Sequence, residues 1–125
     1  MTTKEVAEKL ITYSREGDWD RARNELYADN IISIEPDFAP MPRVEGIEAK
    51  KQKDDMFGEM VEEMHKVTVS EPLIAGDVFS VSMSMDSTMK GMGRTLMEEI
   101  CNYEVSDGKI VKEQFFYSPH SQEDC

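Results

Sequence analysis

Residues 79 to 86 alternate between apolar and polar side chains without a break. The run reads Phe79-Ser80-Val81-Ser82-Met83-Ser84-Met85-Asp86. Because successive side chains of a β-strand point to opposite faces, this period of two predicts a strand with one apolar face. The second half of the chain is therefore expected to form a sheet.

Turn residues divide this second half into strands. A strand from about Val67 to Ile74 precedes a turn at Gly76-Asp77, and Gly91-Met92-Gly93 predicts a hairpin loop. A strand from about Thr95 to Val105 leads to Asp107-Gly108, a strong signal for a tight turn. The last strand runs from Lys109 to Tyr117, and residues 120–125 are predicted to be a loose tail.

The first half is predicted to be mainly helical. Thr3 can cap a helix that ends near Glu16, Gly17 stops it, and Asp18 can cap a second helix that starts at Trp19. Asp29-Asn30 should break that helix before a short strand over residues 31–35.

A third helix is expected from Ile47 to about Met64, after Gly46. Methionines at helical spacing would form its apolar stripe, namely Met56, Met60 and Met64. Its charged first half, with Lys50, Lys51, Lys53, Asp54 and Asp55, is most simply an exposed face. Helices first and a strand meander last indicate a single α+β domain over residues 1–119.

Charge and composition exclude several classes of function. The chain has 26 acidic and 14 basic residues, a net charge of −12, which repels nucleic acid and anionic membranes. Its start has no signal-like apolar run, and no stretch reaches the length of a membrane span. Cys101 and Cys125 do not form a disulfide framework, so a reducing cytoplasm is the expected location.

No metal or cofactor is expected. The two histidines, His65 and His120, lack the spacing of a metal site. Gly91-Met92-Gly93 lacks the third glycine and the strand-to-helix context of a nucleotide-binding loop.

Glu35 is the first candidate for chemistry. It ends the apolar run of the first strand and precedes Pro36. A carboxylate fixed in this way could act as a general base at the mouth of a pocket, and it could equally be a solvated strand end.

The element order and four segments resemble the nuclear transport factor 2-like superfamily, also called the SnoaL-like or cystatin-like fold. The segments are Gly17-Asp18-Trp19, Leu26-Tyr27-Ala28-Asp29-Asn30, Val44-Glu45-Gly46-Ile47-Glu48-Ala49 and Val105-Ser106-Asp107-Gly108-Lys109-Ile110-Val111. The resemblance implies three N-terminal helices packed on a strongly curved, mostly antiparallel sheet that forms a cone with a central pocket.

A local similarity to the ketosteroid isomerases implies roles for several residues. Glu35 would move a proton, while Tyr13 lies on the helix of their tyrosine donor, about one turn out of register. Cys101 replaces their second oxyanion donor and is better interpreted as a buried, inert thiol. Glu113 is turned toward the cavity and could pair with Glu35 as acid and base, although a cross-strand ion pair, for example with Arg94, is the favoured alternative.

A further set of residues is predicted to line the pocket: Trp19, Ser33, Phe38, Phe57, Met60, Met83, Cys101, Phe115 and Tyr117. Trp19 could instead be a packing anchor. The 10 methionines could fill the core or surround a soft ligand cavity.

Three functional hypotheses follow. The first is an isomerase, dehydratase or cyclase that uses Glu35 as general base on a small apolar substrate. The second is a non-catalytic module that binds a ligand or a partner, and the third is an assembly dimer whose cone is filled. The resemblance also implies a homodimer formed through the outer sheet face, where the serine-rich face of the third strand or the Leu96 and Ile100 face of the fourth could serve.

Overall fold

The computed structural model describes residues 1–119 as three helices and seven strands. In chain order they are α1 (Thr3–Arg15), α2 (Trp19–Leu26), β1 (Tyr27–Ile34), β2 (Arg43–Glu45), α3 (Ile47–Met60), β3 (Val61–Val69), β4 (Leu73–Ala75), β5 (Val78–Met89), β6 (Gly93–Ser106) and β7 (Lys109–Phe116). The predicted loose tail lies outside the described residues. Within them, no helix is long and apolar enough to cross a membrane.

The strands form one mixed sheet in the order β2-β1-β7-β6-β5-β3, and β4 pairs with β5. All pairs are antiparallel except β1 with β7. The α+β prediction with a mostly antiparallel sheet is therefore confirmed. The one parallel pair places the first and last long strands side by side, with Ser33 opposite Glu113.

The core lies between the helices and one face of the sheet. The alternation of β5 is confirmed, because Phe79 is fully buried and Met83 and Met85 are each 6% exposed. The ring of Phe79 stacks on Tyr103 of β6 at 4.8 Å. The methionines of β5 thus fill the core, as the packing interpretation predicts.

The corner between α1 and α2 follows the sequence signals closely. Gly17 has a φ of +71°, a left-handed conformation that favours glycine, and Asp18 caps α2 by accepting from the Arg21 backbone N–H. The cap of α1 is Thr2, one residue before the predicted Thr3, and it forms a capping box with Glu5.

Several predicted boundaries are wrong. The strand predicted from about Val67 to Ile74 is two strands, β3 and β4. The second helix ends at Leu26, and β1 starts at once at Tyr27, whose phenol bonds a buried carboxylate on β7. The third helix ends at Met60 and passes directly into β3. Local signals do not mark either junction, since tertiary contacts decide both.

The predicted buried face of α3 is also wrong. Met56 and Met60 are 49% and 46% exposed, whereas Lys50, assigned to an exposed face, is 7% exposed. Met64 belongs to β3. Lys50 is held inside by ion pairs with the buried Glu113 on β7 and the partly buried Asp54 on α3 itself.

Candidate functional site

Glu35 follows the end of β1 and holds two polar partners. Its carboxylate lies 2.9 Å from the Lys53 ammonium and accepts a 2.6 Å hydrogen bond from the Tyr117 hydroxyl. The side chains of Glu35 and Lys53 are only 16% and 13% exposed. Of the two interpretations of Glu35, a solvated strand end is therefore wrong, and a paired carboxylate is what the structure shows.

Burial and the hydrogen bond to Glu35 raise the pKa of Tyr117 above its ordinary value of 10. The phenol is therefore a neutral hydrogen-bond donor at physiological pH. Its ring meets the Phe38 ring edge-on, with centroids 5.5 Å apart. Two residues predicted to line the pocket thus lie next to Glu35.

Glu113 lies deeper and is fully buried. Its carboxylate accepts hydrogen bonds from Tyr27 at 2.5 Å and Ser33 at 2.7 Å, and the Lys50 ammonium lies 2.8 Å away. Burial alone would raise the pKa of Glu113, but the charges of Lys50 and Lys53 outweigh burial and lower it. Glu113 is thus a fixed anion.

The partner expected for Glu113 is wrong. Arg94 pairs with Asp86 through two hydrogen bonds of 2.8 and 2.9 Å on the exposed side of β5 and β6. The cation that pairs with Glu113 is instead Lys50 of α3, a helix whose charged residues were predicted to be exposed. An ion pair at Glu113 is confirmed, but it joins helix to strand.

The ion pairs continue from Lys50 to the surface. Lys50 lies 2.8 Å from Asp54, which lies 3.1 Å from the buried guanidinium of Arg23 on α2. Arg23 also contacts the exposed Asp20 at 2.8 Å. Every buried charge in this network has an opposite partner, which meets the requirement for keeping charges away from water.

Glu99 on β6 differs from the other acids. The Cys101 thiol donates to its carboxylate at 3.4 Å, and a thiol is a weak donor. Burial, followed by the charges of Glu35 and Glu113, raises the pKa of Glu99 from 4.5 to about 7. A carboxyl in this range exchanges its proton near neutral pH.

Sequence reasoning missed Glu99 although a signal was present. Glu99, Cys101 and Tyr103 share one face of a strand, and Cys101 and Tyr103 are buried. A glutamate that alternates with two core residues faces the core. Cys101 is fully buried, and burial and the neighbouring Glu99 raise the pKa of its thiol, so it is inert as predicted.

An open groove at the surface of the sheet leads to Glu99. Strand β7 ends at Phe116, opposite Ile100, so the β6 residues before Ile100 pair only with β5 among the described strands. The groove there is open to solvent and has a volume of about 570 Å³. Glu99 and Tyr117 line it, as do Met83 and outer-face residues that include Ser82, Ile100 and Phe116.

Phe115 completes the apolar part of the site. The Lys53 ammonium lies 5.1 Å from the centre of its ring, and Tyr103 meets the same ring edge-on. Phe57 of α3 is half-buried and packs against the core.

Three predicted residues are not part of this cluster. The Tyr13 hydroxyl donates to Glu25 at 2.5 Å, in a separate network with Arg21. Trp19 is half-buried against the core, which fits the packing interpretation, and Met60 is exposed at the end of α3. In residues 1–119, no three His, Cys, Asp or Glu side chains converge as metal ligands.

Comparison with protein families identifies the domain. The model of the SnoaL-like domain matches residues 1–117. The chain belongs to the SnoaL-like family. As a member of this family, the chain is a small-molecule pocket protein. A search among curated proteins found no match.

Solved structures share the fold. A Mesorhizobium loti protein described as a candidate SnoaL-like polyketide cyclase, and also as a carbohydrate phosphatase, is 36% identical, with a TM-score of 0.87 over 94% of this chain and 100% of that one. A cystatin-like protein of unknown function from Xanthomonas campestris is 18% identical, with a TM-score of 0.82 over 99% and 96% of the two chains.

A third structure contains a ligand. A ketosteroid isomerase-like protein from Catenulispora acidiphila, in complex with trimethylamine, is 17% identical, with a TM-score of 0.76 over 94% of this chain and 88% of that one. At this identity the likeness shows the fold alone.

Proposed function

We propose that this protein binds a small, uncharged, mainly apolar molecule in the groove and catalyses a proton transfer on it, as an isomerase, dehydratase or cyclase. The observation that carries the proposal is Glu99, a largely buried carboxyl with a pKa of about 7 on the wall of the groove. Its environment suits a group that both takes and returns a proton.

The charges of the site favour an uncharged substrate. In the buried network, the cations of Arg23, Lys50 and Lys53 are matched by the anions of Asp54, Glu113 and Glu35. No excess positive charge is left within this cluster for a phosphate or carboxylate group, and the chain as a whole carries −12.

A mechanism follows from these roles. Ionised Glu99 takes a proton from a carbon next to a substrate carbonyl, and the C–H electron pair moves toward the carbonyl oxygen. We assign stabilisation of the oxyanion to the third N–H donor of Lys53, because the other two are directed to Ser33 and Glu35. Glu99 then returns the proton to a different carbon in an isomerisation, or to a leaving oxygen in a dehydration.

Glu35 is the other proton acceptor to consider, as the sequence predicts. Its two oxygens are already occupied by partners within the protein, the Lys53 ammonium and the Tyr117 hydroxyl. We therefore assign Glu35 to holding Lys53 and Tyr117 in place, and Glu99 to the transfer.

Deuterium exchange tests this function whatever the final product of the reaction is. The protein is incubated in D2O with a panel of ring-bearing ketones, and deuterium uptake is measured by mass spectrometry. We expect uptake that rises with pH around 7 and is lost in Glu99→Gln. The matched control is Glu104→Gln, an exposed acid on the other face of β6 that does not line the groove. Equal uptake in wild type and Glu99→Gln would overturn the proposal. If ketones stabilise the protein without exchange, it is a binding module.

A second feature supports a homodimer. Ile100 and Phe116 are paired across β6 and β7 on the outer face and are 49% and 46% exposed. Two adjacent exposed apolar side chains of this size mark a contact surface. Because both also line the groove, a second copy there would border the ligand site.

We also propose the reducing cytoplasm as the location of this protein. The support is Cys101, a free and fully buried thiol whose Sγ donates to Glu99.

A further inference from the structure

The hydroxyl of Ser33 lies between two charged groups inside the protein. Ser33 is fully buried, donates to Glu113 at 2.7 Å and accepts from the Lys53 ammonium at 2.5 Å. A serine hydroxyl has one proton to donate, and here Glu113 takes it while Lys53 takes the oxygen lone pair. Its hydrogen-bonding capacity is thus directed within the protein and not toward a ligand.

We propose that Ser33 and Glu113 are positioning residues of the candidate site: through the Ser33 hydroxyl, the buried pair of Lys50 and Glu113 holds the Lys53 ammonium against Glu35. The inference rests on the proposed function, because Lys53 and Glu35 matter only if that site is used. It replaces the predicted direct roles of Ser33 in ligand binding and Glu113 in acid–base transfer.

The fold makes this arrangement rigid. Parallel pairing of β1 with β7 sets Ser33 opposite Glu113. Glu113 is itself fixed by Tyr27 and by Lys50, and Lys50 is fixed again by Asp54. Lys50 and Lys53 lie three residues apart on α3, so one helix face presents both ammonium groups to the same strand pair.

A lysine needs such support to be precise. Its four-carbon side chain has many rotamers, and fixing it costs entropy. The contacts of the Lys53 ammonium to Ser33 and Glu35, at 2.5 and 2.9 Å, select one of these rotamers. Without the Ser33 hydroxyl, Lys53 keeps Glu35 but loses the contact that ties it to the buried network.

Loosening Lys53 also affects Glu99. The groups that act on the Glu99 carboxyl are Glu35, Glu113 and Lys53, with a hydrogen bond from Cys101. The nearby tyrosines Tyr103 and Tyr117 are neutral, because burial raises the pKa of each. The charge of Lys53 lowers the pKa of Glu99, so its displacement raises that pKa.

Nuclear magnetic resonance of the lysine ammonium groups tests the proposal in the full chain. The Lys53 signal is assigned by its loss in Lys53→Met. We expect it to be observable in wild type at pH 7, because hydrogen bonds slow proton exchange with water, whereas the exposed Lys66 gives none. In Ser33→Ala we expect the Lys53 signal to disappear and the titration midpoint of Glu99 to move upward, with no change in the exposed control Ser106→Ala.

Two results would overturn the proposal. One is the absence of a protected Lys53 signal in wild type, which needs no variant to fold. The other is a folded Ser33→Ala protein in which both the Lys53 signal and the Glu99 midpoint are unchanged. Neither readout needs turnover, so failure of the exchange assay and failure of this inference are separate outcomes.

Discussion

The Lys50 ammonium lies 2.8 Å from the Glu113 carboxylate, with the two side chains 8% and 0% exposed. This ion pair joins α3 to the last strand, β7. Burial opposes both charges, and the pair persists because Asp54, Tyr27 and Ser33 satisfy the remaining donors and acceptors.

Breaking that pair should destabilise the fold. We expect Lys50→Met to cost roughly 3 kcal/mol of unfolding free energy, because it leaves Glu113 without its ammonium partner in a buried site. The control is Lys51→Met, one residue on, whose pair with Asp55 has side chains 54% and 49% exposed and should cost less than about 1 kcal/mol. Urea unfolding measures both, and equal losses would show that Lys50 is not held as described.

Glu99 should make the protein less stable as the pH rises. Burial raises its pKa from 4.5 to about 7, so between these values the folded state keeps a proton that the unfolded state has lost. The free energy of unfolding therefore falls as the pH rises from 4.5 to about 7, and it is lowest above pH 7. Glu99→Gln should be more stable than wild type above pH 7, by up to roughly 3 kcal/mol, and equal to it below pH 4.5. A pH-independent difference in thermal or urea unfolding would argue against a buried acid.

The observed site and the predicted site contain different tyrosines. Tyr117 bonds Glu35, whereas Tyr13, the predicted assistant, bonds Glu25. We expect Tyr117→Phe to slow deuterium exchange by about tenfold or more and Tyr13→Phe to leave it unchanged. The opposite order would restore Tyr13 to the site.

The outer face should control assembly. We expect Phe116→Glu to convert a dimer into a monomer in size-exclusion chromatography with light scattering, because a charge would be buried in the contact. Leu73→Glu is the control, since Leu73 is 78% exposed on the short strand β4. A wild-type monomer, or dimers of both variants, would count against this surface.

Patterns of local origin were predictable from the sequence. The alternation in β5, the turns at Gly91-Met92-Gly93 and Asp107-Gly108, and the Gly17-Asp18 corner are set by neighbouring residues, and the structure has each of them. The class of fold followed from the order of these elements, and the family assignment confirms it.

The charged part of the site was predictable only in fragments. Glu35 and Glu113 were recognised, but Lys50 and Lys53 were assigned to solvent because a charge run on a helix is usually exposed. Their burial depends on the parallel pairing of β1 with β7, which no local pattern encodes. The same pairing explains why β1 starts at Tyr27 directly after α2.

The most direct test of the central claim is a pH titration of the Glu99 side-chain carboxyl carbon by nuclear magnetic resonance, assigned by its loss in Glu99→Gln. The account predicts a midpoint at about 7. A midpoint near 4.5, the value of an ordinary glutamate, would contradict it and remove Glu99 as the proton carrier.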